Sequence, residues 1–240
     1  MIFEKMKMIK EEFKIKEKSC IGYINPEAKA LLIQPVDEHN MEVLDAEVAG
    51  ITAQAEIPFS LVAFEIKDWN RELSPWQAPA VFGNESFGDG AAETLLFIEA
   101  ELLPDLFNRY GLDTNLPVIL GGYSLAGLFS LWSGYNTKRF TAISAASPSV
   151  WFEKWISYVN ENNPMTDIIY LSLGNKEERN RNKVMPTVGD CIRKQYSLLK
   201  SYGTDCTLEW NEGNHFQDSE KRCAKGFAWC IKEISKRSLA

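Results

Sequence analysis

The chain has 240 residues, a formal net charge of −7 and only two histidines. The acidic balance argues against nucleic acid and an anionic membrane surface, which need a basic face to displace counterions. Two histidines exclude a multi-histidine metal site and leave His39 and His215 as the only imidazoles for any chemistry.

No apolar run approaches the ~20 residues of a membrane-spanning helix. Residues 1–18 mix Lys and Glu with scattered apolar residues and lack a continuous apolar stretch, so no signal peptide is expected. The five cysteines, Cys20, Cys191, Cys206, Cys223 and Cys230, contain no CxxC pair. They suit free thiols in the cytoplasm, and neither a zinc site nor any other metal site is expected. No repeat, low-complexity tract or linker divides the chain, so residues 1–240 are read as one domain.

Short apolar runs alternate with amphipathic segments, which predicts a mostly parallel central sheet with helices on both faces. Strands are expected at 30–34, 59–66, 117–121, 141–145, 168–173 and 206–210. The region 68–90 is a long loop rich in Trp, Pro, Gly and Asn; its aromatics Trp69, Trp76, Phe82 and Phe87 argue for order. Leu95, Ile98, Leu102 and Leu106 follow helical spacing, with Pro104 as a kink or early break. Leu125, Leu128, Phe129 and Trp132 start a helix directly after Ser124. Further helices are expected over 188–202 and around Ala224, Phe227, Ile231 and Ile234, where Cys223 and Cys230 fill core.

The segment Gly122-Tyr-Ser124-Leu-Ala126 joins a predicted strand to a predicted helix. This is the nucleophile-elbow pattern G-x-S-x-G with alanine in the last place. A serine on so tight a turn needs small residues two before and two after it, which Gly122 and Ala126 supply. The helix that follows aims N–H groups and positive potential at the serine. A serine hydroxyl needs a general base within hydrogen-bond reach. His215 follows a strand, in the loop Gly213-Asn-His215-Phe216, whereas His39 lies in the polar turn Asp37-Glu-His39-Asn40 and reads as an exposed loop residue. An acid should lie between serine and histidine in the chain. Glu177, past the strand ending at Gly174, is the first choice and Glu178 the second. For the oxyanion hole, one N–H is expected from Leu125 and the other from the early loop, with Trp69 preferred over Asp68; position alone supports the second.

Taken together, the chain resembles the esterase D and enterochelin-esterase-like family of α/β hydrolases. The matching pieces are Gly121–Gly127, Ala146-Ser-Pro-Ser-Val-Trp151, Leu171–Glu178, Gly213–Phe216 and the early loop Asp68–Trp76. The resemblance implies an α/β-hydrolase fold and a Ser124–His215–Glu177 triad, with Trp151 and the early loop bordering the pocket. Two departures stand out: Ala126 replaces the second elbow glycine, and no counterpart of the extra N-terminal domain of larger enterochelin esterases precedes the elbow. The expectation is a serine esterase acting through an acyl-enzyme on a small-molecule ester, without cofactor. An acyltransferase or a non-catalytic binding protein on the same scaffold are the alternatives. Trp76, Trp151 and Arg181 are the expected substrate contacts, Arg181 as part of a basic group with Lys176, Arg179 and Lys183.

Overall fold

A computed structural model describes residues 8–81, 83–179 and 187–238. Among these residues, eight strands form one sheet in the order β1-β2-β4-β3-β5-β6-β7-β8. These are β1 (Ile9–Ile15), β2 (Lys18–Ile24), β3 (Ala30–Val36), β4 (Phe59–Glu65), β5 (Val118–Tyr123), β6 (Ala142–Ala146), β7 (Ile168–Gly174) and β8 (Asp205–Asn211). β1 pairs antiparallel with β2 and β2 antiparallel with β4; the pairings from β4 through β8 are all parallel.

The six strands read from the sequence all form, each within a few residues of its expected bounds. The central five, β3 to β7, are buried on both faces, which is why several of them read as continuous apolar runs, whereas the edge strand β8 is partly exposed. Along β3, Leu31 and Ile33 pack into one core layer and Ala30 and Leu32 into the other, the period-two alternation of a strand. The hairpin β1–β2 has no counterpart among the expected strands. β1 is an edge strand whose Lys and Glu residues read as solvated chain; inward-facing Glu11 breaks its apolar face and accepts a hydrogen bond from the Tyr110 hydroxyl at 2.9 Å.

The helices are α1 (Glu38–Glu42), α2 (Leu44–Thr52), α3 (Trp69–Glu72), α4 (Ala91–Phe97), α5 (Leu103–Tyr110), α6 (Leu125–Asn136), α7 (Trp155–Glu161), α8 (Val188–Ser201) and α9 (Ser219–Ser238). α2 and α9 cover one face of the sheet, and α4 to α8 cover the other. Near Pro104, where a kink or early break is expected, the helix does not break: a widened π-turn, Ile98–Leu102, joins α4 to α5. Proline offers no N–H to the preceding turn and crowds its carbonyl, and the wider turn relieves both without ending the helix. The polar turn around His39 is α1, capped by the Asp37 carboxylate, which accepts from Asn40 N at 2.7 Å. α2 turns Glu47 inward, where it is only 2% exposed. Gln34 Nε2 donates to Glu47 Oε2 at 3.4 Å, while Glu47 Oε1 and Gln34 Oε1 are buried without a partner.

Candidate active site

β5 carries the chain straight into Ser124, whose φ of 58° and ψ of −120° put a non-glycine residue in a strained conformation. The elbow requirement for small neighbours is met tightly: a Cβ on Gly122 would lie 2.7 Å from Ala126 Cβ. Two further contacts pin the turn to the end of β6, Ser124 N to Ala146 O at 3.1 Å and Ser149 N to Ser124 O at 3.0 Å.

His215 stands between the serine and the first-choice acid. Its Nε2 is 2.9 Å from Ser124 Oγ and its Nδ1 is 2.8 Å from Glu177 Oε2. An ionised carboxylate can only accept, so Nδ1 carries the ring proton and leaves Nε2 to accept from the serine hydroxyl. Glu177 sits in a short 3₁₀ turn after β7 and is 6% exposed. Its Oε1 accepts from Gly174 N at 2.7 Å, Ser147 Oγ at 2.8 Å and Arg222 Nη1 at 2.8 Å. Burial by itself pushes this carboxyl up, but hydrogen bonds and charge from His215, with the Gly174 N–H and Ser147, outweigh it. The net effect holds Glu177 below the ordinary carboxylate range. Glu178 points away and forms a bidentate pair with Arg193 on α8, at 2.9 and 3.1 Å.

Leu125 opens α6, and the first turn of a helix has N–H groups with no carbonyl one turn back. Leu125 and Trp69 line the same cleft of about 280 Å³ as Ser124, with Phe87 and Trp151 forming its apolar wall. The Asp68 side chain is occupied in capping α3, accepting from Arg71 N at 3.1 Å. A second cleft of about 350 Å³ runs from His215 past Trp151 to Lys176 and Arg179. A third, of about 220 Å³, joins Ser124 and Tyr123 to Asp37 and His39. His39, expected as an exposed loop residue, therefore also sits on the rim of the site. Phe216, 87% exposed, borders all three clefts. A larger groove of about 550 Å³, with Glu99 and Arg139 on its walls, contains none of these residues.

One expected substrate contact is not brought to the site. Trp76 lines none of these three clefts. Its indole N–H donates to Glu153 O at 2.9 Å and its ring packs on Phe152, Trp155 and Tyr158, anchoring the early loop to α7. Arg181, with Lys183 of the same basic group and Phe82, lies outside the described residues. Among the described residues, no group of three His, Cys, Asp or Glu side chains could hold a metal ion, and no helix is long and apolar enough to cross a membrane.

Arg222, on the buried face of α9, is a residue the sequence reading missed. It is 1% exposed; Nη1 reaches Glu177, Ser147 and Tyr123, and Nη2 reaches the carbonyls of Glu212 and Asn214. The signal was a charge on the inward stripe of an amphipathic helix, next to Cys223 and one turn before Gly226.

A mostly parallel sheet whose fifth strand turns through a strained serine into a helix defines an α/β hydrolase. The family model described as Putative esterase matches residues 46–202, more than half of the chain, so the chain belongs to that family and is a carboxylic ester hydrolase. Among solved structures it is similar to an IroE-like serine hydrolase from Shewanella oneidensis, with TM-score 0.77 and 16% identity, covering 95% of this chain and 81% of that one. It is also similar to the siderophore hydrolase EstA from Aspergillus nidulans, with TM-score 0.64 and 19% identity over 96% of this chain and 95% of that one. The enterobactin esterase FES from Shigella flexneri matches with TM-score 0.67 and 14% identity, over 95% of this chain but 60% of that one. At these identities the likeness is one of fold. No curated protein sequence matches the chain.

Proposed function

We propose that this esterase is a single-domain serine hydrolase working through Ser124, His215 and Glu177 by way of an acyl-enzyme. His215 Nε2 takes the proton from Ser124 Oγ as the serine attacks the ester carbonyl, and Glu177 stabilises the imidazolium that forms. The Leu125 N–H and the Trp69 N–H receive the oxyanion. His215 then returns the proton to the leaving alcohol. In the second half-reaction it deprotonates a water that attacks the acyl carbon and frees Ser124. No cofactor enters these steps.

The observation that carries this reading is the pair of hydrogen bonds at His215, 2.9 Å to the serine and 2.8 Å to the glutamate, beside an open cleft. The described cysteines are all free thiols, which supports a cytoplasmic setting. The substrate is a small-molecule ester, held against Trp151 in the cleft beside Ser124. Nucleic acid and membrane lipid are not partners of so acidic a chain.

Labelling with a fluorophosphonate probe, together with hydrolysis of short aryl esters, tests the nucleophile. Ser124→Ala should abolish both, and full activity in that variant would overturn the assignment. A panel of aryl, thioester, feruloyl and catecholate-lactone esters then narrows the substrate. The last belongs there because similar structures carry the names siderophore hydrolase and enterobactin esterase.

A further inference from the structure

The geometry points to Arg222 as the positioning residue of this site, one amino nitrogen holding the acid Glu177 and the other fixing the loop that delivers His215. This rests on the proposed Ser124–His215–Glu177 machinery. Arg222 lines none of the three clefts at Ser124 and His215, so its effect runs through the other two residues.

The two halves of its guanidinium do separate jobs. Nη1 is a donor to Glu177 Oε1 at 2.8 Å, Ser147 Oγ at 3.0 Å and Tyr123 Oη at 3.0 Å. Nη2 donates to Glu212 O and Asn214 O, both at 2.9 Å. Those carbonyls belong to the loop that ends in His215. The next carbonyl, His215 O, accepts from Tyr123 Oη at 2.8 Å, so Tyr123 extends the same clamp. A planar fork can serve a carboxylate on one side and two backbone carbonyls on the other; an ammonium cannot span both.

The charge matters as well as the clamp. The Glu177 and Arg222 side chains are 4% and 2% exposed, so little water screens one from the other. A fixed cation here favours the state in which the Glu177–His215 pair has lost its proton, the form in which His215 acts as base. The other ionisable groups around this corner are Asp37, which caps α1, His39 within α1, and Lys176 and Arg179 after β7, all of which border the clefts; Glu212 and Asp218 on either side of His215; Tyr123 on β5; Cys223 and Glu220 on α9; and Glu47 on α2. Of the described side chains, only His215, Ser147 and Arg222 hydrogen-bond Glu177.

The test uses Arg222→Lys, which keeps the cation but cannot reach both carbonyls, and Arg222→Met, which removes both functions at similar length. Two readouts are needed, the pH profile of kcat/KM on a short aryl ester and the imidazole titration of His215 by proton NMR. With only two histidines in the chain, His39→Asn assigns the NMR signals. In Arg222→Met the acid limb of the profile and the His215 titration should both move up by about one pH unit, with kcat at least tenfold lower. In Arg222→Lys both titrations should stay at the parent position while kcat still falls about tenfold. An unmoved His215 titration in a folded Arg222→Met protein overturns the electrostatic role. Parent-like kcat in Arg222→Lys overturns the clamp, and that variant decides the matter if Arg222→Met does not fold. The NMR titration needs no substrate, so it stands apart from failure of the hydrolase reading, which Ser124→Ala reports.

Discussion

Replacing Glu47 by glutamine should stabilise the protein, and by an amount that grows with pH. Glu47 is buried between α2 and the sheet, and burial pushes its carboxyl from 4.5 up to about 8, with the Gln34 amide pulling it down and Glu220 adding to the rise. The sign follows from proton counting. Between pH 4.5 and 8 the folded protein keeps a proton that the unfolded chain releases, so stability falls as pH rises through that window and levels off above it. At about 1.4 kcal/mol per pKa unit the full loss is about 5 kcal/mol, and about 3 kcal/mol has gone by pH 7. That is a large share of the ~5–15 kcal/mol that holds an ordinary domain together. The local geometry agrees: Gln34 Oε1 and Glu47 Oε1 both lack a donor, and a carboxyl proton supplies one. Glutamine has the same shape, supplies donors and cannot ionise. Urea unfolding followed by tryptophan fluorescence, for parent and Glu47→Gln from pH 5 to 9, measures the difference. The gap should widen by several kcal/mol and flatten above pH 8. A gap that stays constant across the range would refute the reasoning.

Two further substitutions probe the site directly. Glu177→Gln should lower kcat on aryl esters by about 10³- to 10⁴-fold, because a neutral amide no longer fixes the imidazole tautomer or stabilises its cation. Glu178→Gln, which breaks only the pair with Arg193 on the surface of α8, should change kcat by less than about threefold; the reverse ranking would exchange the two roles. Gly122→Ala places a methyl group 2.7 Å from Ala126 Cβ and should cost about 3 kcal/mol or more in urea unfolding, or prevent soluble expression. A variant as stable as the parent would show that the elbow has room to spare.

The elbow was legible because its constraint is local: a serine at positive φ and the two small residues around it lie within five positions of the chain. His215 was legible through scarcity and order, and Glu177 through its place after a strand. Choosing Glu177 over Glu178 needed the 3₁₀ turn, which aims one carboxylate at His215 and the other at Arg193. What could not be read is tertiary. Arg222 acts only because α9 packs under the ends of β5 and β7, far along the chain from its partners. Trp76 looked like a substrate contact because loop aromatics can face either solvent or core, and only the packing of α7 decides. In α2, Leu44, Val48 and Ile51 carry helical spacing, but Glu47 on the same inward side blurs the stripe. The hairpin β1–β2 is hidden for the same reason, by Glu11 on the inward face of an edge strand.

The proposed machinery draws on four adjacent parallel strands, and the reach each residue needs explains where the protein invests in support. Ser124 directly follows β5 and Ser147 directly follows β6, whereas Glu177 comes three residues after β7 and His215 four residues after β8. In sheet order β6 and β7 lie between β5 and β8, so the base starts three strand spacings from its serine, about 14 Å at ~4.8 Å per spacing. A loop that leans back over two strands is held by little of the sheet itself. It is instead tied at successive carbonyls, Glu212 and Asn214 by Arg222 and His215 by Tyr123. It is also tied sideways to the β7 loop, through Gly213 N to Asn175 Oδ1 at 3.2 Å and Lys176 N to Gly213 O at 3.1 Å. The serine, by contrast, is held by its own strained turn and needs no such scaffold. Loosening the clamp should therefore misplace the base before it disturbs the nucleophile.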